Sequence, residues 1–101
     1  MKNETFEIKN NEFLRQFEAT IEGEFVKLEY SDQERKIFLS KLEMSESLQE
    51  KGYQEKFLTE IFDYIAEKGR IKIVPTSKEV KSFFKANKIK YSELLPIGIS
   101  F

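Results

Sequence analysis

The chain contains no cysteine and no histidine among its 101 residues. Without cysteine it can form neither disulfides, nor thiolate nucleophiles, nor cysteine-based zinc sites. Without histidine it lacks the commonest general base at neutral pH and the commonest ligand of transition metals. We therefore expect no metal site, and any acid–base chemistry must depend on other side chains.

The sequence also lacks an excess of basic residues and any long apolar run. It has 17 Lys and Arg against 18 Asp and Glu, a formal net charge of -1. General nucleic-acid binders usually carry a basic excess or stripe, so we expect no nucleic-acid partner. The N-terminus opens no long apolar run, which predicts neither a signal peptide nor a membrane partner. The expected location is the cytoplasm.

What the chain does contain is enough bulky apolar material for one core. Ten Phe and four Tyr supply that material, while 35% charged residues suit a solvated surface. The length fits one modest core. No repeat, low-complexity tract or linker rich in Pro and Gly divides the sequence. We expect a single domain over residues 1–101.

The first half of the chain predicts an antiparallel meander of strands. Alternating apolar and polar residues over 13–21 are typical of a half-buried strand, and Glu22-Gly23-Glu24 then supplies a turn. A second strand is predicted over 25–30, with Val26, Leu28 and Tyr30 on one face. The further expectations are a short first strand over 5–8, a polar connection over 31–34 and a long strand over 35–44.

The second half changes from strand to helix periodicity. Apolar residues at spacings of three and four predict a helix over 55–68, with Gly69 after its end. A short strand over 71–74 ends at Pro75, and Thr76 with Glu79 resembles a capping box for a second helix. We also expect a turn of helix over 91–95 and an edge strand over 97–101. The fold class is α+β (mixed α/β): an antiparallel strand meander followed by α-β-α.

The segment over 45–54 is the strongest candidate for a ligand site. It lies between a predicted strand and a predicted helix and carries Gly52. A glycine loop at a helix start favours anion binding, because unpaired backbone N–H groups and the positive end of the helix dipole point the same way. The structural alternative is a helix-start turn in which the glycine serves only the backbone shape.

Together these elements resemble the GCN5-related N-acetyltransferases, especially compact members of this chain's size. The resemblance runs from about Phe13 to Leu95, nearly the whole chain. It rests on the meander, the amphipathic helices and the motifs Gln49-x-x-Gly52, Val74-Pro75 and Phe83-Phe84. It implies a truncated fold of that family, with acetyl-CoA as co-substrate.

The resemblance also implies which residues hold the cofactor. The family binds the CoA pyrophosphate on a loop that corresponds here to Gln49, Glu50, Lys51, Gly52, Tyr53 and Gln54. Glycine allows close approach of the backbone to a phosphate, and the lysine adds a positive charge. Gln54 replaces the small residue that usually ends this loop, so it either crowds the phosphates or points outward.

Three further residues are implied beside the pantetheine arm. The arm would run along the strand that ends at Glu43 and Met44, and the Met44 N–H would polarise the thioester carbonyl. Asn87 would face the pantetheine or the phosphates, unless it simply ends its helix.

The catalytic residues are less clearly implied. Lys41 occupies the position of the histidine found in compact relatives, which leaves Glu43 as the candidate general base; its pKa would have to be raised by burial for it to act near neutral pH. Ser77 occupies the position of a cysteine in those relatives, and a hydroxyl without an adjacent base is a poor nucleophile. The alternatives are a solvated carboxylate at 43 and a helix-start residue at 77.

We therefore expect an acetyl-CoA-binding protein that transfers acetyl to an amine, either a small molecule or a protein. The alternative is a non-enzymatic binding or interaction module on the same fold. An RNA-binding domain shares the α+β outline, but the chain lacks the basic, aromatic strands of such domains. The sequence identifies neither the acceptor nor the oligomeric state.

Overall fold

The computed structural model describes residues 6–94, which form one mixed sheet with helices packed on it. The strands are β1 Lys9–Asn11, β2 Gln16–Ile21, β3 Glu24–Gln33, β4 Lys36–Glu43 and β5 Lys72–Pro75. The helices are α1 Glu46–Glu50, α2 Tyr53–Lys68, α3 Lys78–Ala86 and α4 Lys88–Tyr91, followed by a 3₁₀ turn at Ser92–Leu94. This is the predicted α+β class, a meander followed by α-β-α.

The order of the strands in the sheet follows their order in the chain, β1-β2-β3-β4-β5. The first four strands are antiparallel neighbours, and β5 runs parallel to β4 after the crossover through α2. Parallel neighbours need such a crossover, because the chain must return to the end at which the previous strand began. The sheet is therefore a meander with one parallel strand at its edge.

The core lies on one face of this sheet, beneath α2 and α3. Alternate strand residues point to that face and are buried: Phe17, Ala19, Ile21, Val26, Leu28, Tyr30, Ile37, Leu39 and Ile73. The predicted stripe of α2 packs on them, and Phe62 also contacts the rings of Phe83 and Phe84 at 4.9 and 5.2 Å between centroids. Each large side chain buried in this way contributes about 1.5–3 kcal/mol.

The two long hairpins turn through left-handed backbone in different ways. In the β2–β3 turn, Glu22 has φ 51° and Gly23 φ 77°, which confirms the predicted glycine turn. In the β3–β4 turn the left-handed positions are Glu34 and Arg35, at φ 53° and 81°. Without a glycine to mark that turn, the predicted connection over 31–34 was wrong, and β3 continues to Gln33.

Three strand and cap predictions differ from the structure. The strand predicted from 13 begins only at Gln16, because Asn11 Oδ1 accepts the Leu14 N–H at 3.0 Å and turns the chain, leaving Phe13 93% exposed. Within the described residues the first strand is Lys9–Asn11, not 5–8. Residue 5 of the predicted range lies outside the described residues. The cap of α3 is Ser77, not Thr76.

The remaining predictions concern the chain's second half. The helix predicted over 55–68 begins two residues earlier, and the strand predicted over 71–74 is β5. The helix α1 was missed, since five residues carry little periodicity. The turn predicted over 91–95 is present up to Leu94, and the edge strand predicted over 97–101 lies outside the described residues. No helix within 6–94 has the length and apolar character needed to cross a bilayer.

Candidate functional site

Strands β4 and β5 form a fork. Their pairing ends at Leu39 and Pro75, where the backbone N–H and the hydroxyl of Thr76 both donate to the Leu39 carbonyl at 3.0 Å. From there the chain turns away into α3, while β4 continues to Glu43 alongside β3. The edge of β4 over 40–43 is therefore not paired with β5.

A β-bulge lies at the point where the fork opens. Glu29 pairs with Lys41 and Tyr30 pairs with Leu39, which leaves Ser40 as the extra residue of β4. The Ser40 hydroxyl donates to the Glu29 carbonyl at 3.1 Å and holds the bulge in place. Bulges re-aim the backbone locally and are common beside active sites. Here the bulge separates the paired half of β4 from its unpaired half.

The chain that follows β4 brings Gly52 to the start of α2. Ser45 caps α1 by accepting the Leu48 N–H at 3.3 Å, and Gln49 Nε2 donates to the Met44 carbonyl at 2.8 Å. Gly52 then takes φ 86°, a left-handed conformation that suits glycine, and α2 begins at Tyr53. The first backbone N–H groups of this long helix carry its positive dipole end.

Several predicted loop side chains are engaged with the protein itself. Lys51 Nζ lies 2.7 Å from Glu22 Oε1, and the Tyr53 hydroxyl donates to Glu22 Oε2 at 2.9 Å. Gln49 and Glu50 belong to α1 rather than to an extended loop. The backbone at the start of α2, rather than these side chains, is thus the part of the segment best suited to an anion.

Gln54 lines a groove between α2 and α3. The groove has a volume of about 250 Å³. Its walls are Gln54, Glu55 and Leu58 from α2, with Glu79, Ser82, Phe83 and Ala86 from α3. The half-buried Gln54 therefore neither points outward nor lies in the core. A ligand entering between these helices from the start of α2 would meet its side chain.

Glu43 differs from the base that the sequence predicted. Its side chain is 46% exposed on the face of the sheet away from the helices, with Lys27 Nζ 3.1 Å and Lys41 Nζ 3.6 Å from its oxygens. The hydrogen bond with Lys27 is the main cause that lowers the pKa of Glu43. The burial that would raise this pKa, as a base near neutral pH requires, is not found at Glu43, because the carboxylate is paired with cations instead of being desolvated.

Ser77 and Asn87 cap the two ends of α3. Ser77 Oγ accepts the Val80 N–H at 3.3 Å, and Asn87 Nδ2 donates to the Phe83 carbonyl at 2.9 Å. Both bonds are of the kind that satisfies unpaired backbone groups at helix ends. Ser77 nevertheless directly follows Thr76 at the fork, so its position is close to the unpaired edge of β4. Met44, half-buried, follows the end of β4 at the same side.

The structure thus brings most of the predicted site residues to one end of the sheet, near the fork and the start of α2. Sequence reasoning assigned no role in the site to Ser40, Thr76 or Glu22. The bulge depends on the register between two strands, and Glu22 is 29 residues away from Lys51, so no local pattern indicated either. Within residues 6–94 no group of three or more acidic side chains is arranged to hold a metal ion.

The meander has a bulged fourth strand that parts from a parallel fifth strand, and a helix that starts at a glycine lies between them; this fold is consistent with a small acetyltransferase-like domain. The sequence model of the GCN5-related N-acetyl-transferase family matches residues 16–94. The match covers most of the chain and all strands from β2 onward, so the protein belongs to this family. The comparison with curated proteins gives no match.

Proposed function

We propose that this domain binds acetyl-CoA in the fork between β4 and β5 and transfers the acetyl group to an amine. The observation that carries the proposal is the unpaired edge of β4 over 40–43, which opens beside the start of α2. Family membership supports acetyltransferase-like chemistry in general, and members of the family typically use acetyl-CoA. The cofactor, its orientation and the acceptor are our proposal.

The unpaired edge suits the pantetheine arm. Among residues 6–94 no strand pairs with this edge, so its backbone N–H and C=O groups can bond to the amides of pantetheine, which offer matching donors and acceptors. In this arrangement the thioester carbonyl lies near the end of β4, where the Met44 N–H acts as its hydrogen-bond donor. Such a donor stabilises the negative charge that develops on the oxygen when an amine attacks.

The start of α2 suits the pyrophosphate. Gly52 in its left-handed conformation lets the backbone approach closely, and the first N–H groups of the helix supply donors with a positive dipole. Gln54 borders the groove that leads on between α2 and α3. We therefore assign Gly52 and the backbone of residues 53–55 to the diphosphate, and Gln54 to the groove that continues from it.

The transfer step needs a proton acceptor. The amine nitrogen attacks the thioester carbonyl, the C–S bond breaks, and the CoA thiolate leaves as the nitrogen gives up a proton. Glu43 is ionised, but its lowered pKa makes it a weak base. It suits the orientation of the amine or of a water molecule better than direct proton abstraction, and the proton passes to solvent.

A matched pair of glycine variants tests the binding site. Gly52 and Gly69 flank α2 at its two ends, and both have positive φ: Gly52 has φ 86° and ψ 8°, and Gly69 has φ 69° and ψ 154°. Replacement by alanine costs about 1 kcal/mol of stability at Gly52 and about 1–3 kcal/mol at Gly69, whose combination of φ and ψ is essentially restricted to glycine. We expect Gly52→Ala to weaken CoA binding at least about tenfold in isothermal titration, since 1.4 kcal/mol of lost phosphate contact suffices. We expect Gly69→Ala to bind CoA as the unmodified protein does. Equal affinities for the two variants would contradict the assignment.

A second candidate function is CoA binding without catalysis. The lowered pKa of Glu43 and the capping role of Ser77 favour it, because they leave the site without a strong base or nucleophile. Turnover of acetyl-CoA with a panel of primary amines separates the two functions. Turnover that falls in Glu43→Gln supports the transferase and a role for Glu43. Tight acetyl-CoA binding with no turnover for any amine supports the binding module.

A further inference from the structure

Glu22 forms a contact between two parts of the fold that are distant in sequence. It lies in the turn between β2 and β3, and its two carboxylate oxygens contact residues on either side of Gly52. Oε1 is 2.7 Å from Lys51 Nζ, and Oε2 accepts the Tyr53 hydroxyl at 2.9 Å. The hairpin thus brings a negative charge to the segment that starts α2.

The geometry of this contact is well defined at both ends. The Tyr53 side chain is 1% exposed, so its ring is fixed in the core and its hydroxyl has little freedom to leave Glu22. Glu22 itself has φ 51°, a left-handed conformation that the hairpin imposes and that aims its side chain. Glu22 keeps a third of its side chain exposed, so the carboxylate is reached from solvent.

We propose that the Glu22 carboxylate is an internal anion that competes with a bound diphosphate for Lys51 and for the positive end of α2. It thereby sets the affinity of the site for acetyl-CoA, an inference that rests on the proposed function. The physical reason is that a helix N-terminus and one ammonium stabilise one anion well, and a second anion nearby repels the first. A diphosphate on the backbone of residues 52–55 that also contacts Lys51 must share this lysine with Glu22 or draw it away.

The substitution Glu22→Gln tests this inference with little disturbance. The amide oxygen of glutamine still accepts the Tyr53 hydroxyl, while the charge that holds Lys51 is removed. We expect the variant to bind inorganic diphosphate and CoA about five- to tenfold more tightly than the unmodified protein, because the negative charge that competes for Lys51 is gone. Pantetheine, which lacks the diphosphate, should bind both proteins equally.

Two controls separate the local effect from net charge. Asp32→Asn makes the same charge change in the β3–β4 hairpin, where Asp32 pairs with Arg15. It should alter CoA affinity less than about twofold, because salt screens distant exposed charges. The double variant Glu22→Gln with Lys51→Met should lose most of the gain, because the ammonium that attracts the diphosphate is then absent.

A measurement on the unmodified protein gives an independent readout. Lys51 is the main cause that lowers the pKa of the Glu22 carboxyl. Saturation with inorganic diphosphate should raise that pKa, since the ligand draws Lys51 away and adds negative charge nearby. The side-chain carboxyl signal of Glu22 in an NMR pH titration reports this shift. An unchanged pKa under saturating diphosphate would overturn the inference.

The outcomes distinguish this inference from the proposed function. If Glu22→Gln improves diphosphate binding but neither protein binds CoA, the inference stands and the proposed function fails. If CoA binds the unmodified protein and Glu22→Gln brings no gain for CoA or diphosphate, the proposed function stands and the inference is overturned. If neither protein binds either ligand, both are overturned.

Discussion

The two halves of β4 differ in what borders them. From Lys36 to Leu39 the strand is paired with β3 on one edge and β5 on the other, and Ile37 and Leu39 enter the core. Beyond the bulge at Ser40, residues 41–43 pair with β3 alone among the described strands; Lys41 and Glu43 are charged and exposed, and Leu42 is half-buried. The paired half stabilises the fold, whereas the unpaired half is where we propose that a ligand binds. Thr76 lies at the boundary between the two halves.

The largest expected effect lies in the paired half. Leu39→Ala removes a fully buried side chain and should lower the free energy of unfolding by about 2–5 kcal/mol. Leu42→Ala, the matched change in the unpaired half, removes a half-buried side chain and should cost about 1 kcal/mol. Urea unfolding measures both. Equal losses would mean that the two halves do not differ in packing.

A smaller effect is expected just beyond the fork, at the start of α3. Ser77→Ala removes the cap on the Val80 N–H and should cost about 0.5–2 kcal/mol of stability. Ser77→Asp should restore most of this, because aspartate is an equally good cap but cannot act as a hydroxyl nucleophile. If acetyl transfer is lost in both variants while Ser77→Asp is fully stable, Ser77 has a catalytic role beyond capping.

The boundary itself gives a third comparison. Thr76→Val deletes the hydroxyl that donates to the Leu39 carbonyl and keeps the backbone N–H bond to the same oxygen. We expect a loss of about 0.5–1.5 kcal/mol, the usual net value of one hydrogen bond. Thr20→Val, on an exposed position of β2, is the control and should change stability less. If Thr76→Val lowers the free energy of unfolding no more than Thr20→Val does, the Thr76 hydroxyl does not stabilise the point where β4 and β5 separate.

The smallest effect concerns Glu43 in the unpaired half. Lys27 lowers the pKa of this carboxyl in the folded protein, so its contribution to stability is present above its ordinary value of 4.5. That contribution is lost as the pH falls through the lower folded pKa. An NMR titration should give a midpoint below 4.5 for Glu43, and Lys27→Met should raise it. A midpoint that stays unchanged in the variant would remove Lys27 as the cause.

Local patterns predicted the parts of the fold that bury regular stripes. The helix spacing of Phe57, Leu58 and Ile61 and the alternation along β3 both reflect contact with one core face, so α2 and the sheet were correctly expected. The β3–β4 turn was misplaced, because Glu34 and Arg35 adopt left-handed backbone without glycine. Composition gives no signal for such a turn.

The candidate site was only partly predictable, because several of its features depend on residues that are distant in the sequence. Gly52 marked the start of α2 because glycine has a distinctive backbone role there. The fork and its bulge depend on the register between strands that are distant in the chain, and that register follows from the packing of the whole sheet. The environment of Glu43 depends on Lys27, which is opposite it across β3 and β4. Neither relation is visible in a local motif.

The most direct test of the central proposal is a titration of the ¹⁵N-labelled protein with CoA, followed by amide chemical shifts. Binding in the fork predicts saturable shifts along 40–44 and at 52–55, with the β3–β4 turn and Gly69 unchanged. Shifts limited to other parts of the protein, or no shifts at millimolar CoA, would contradict it.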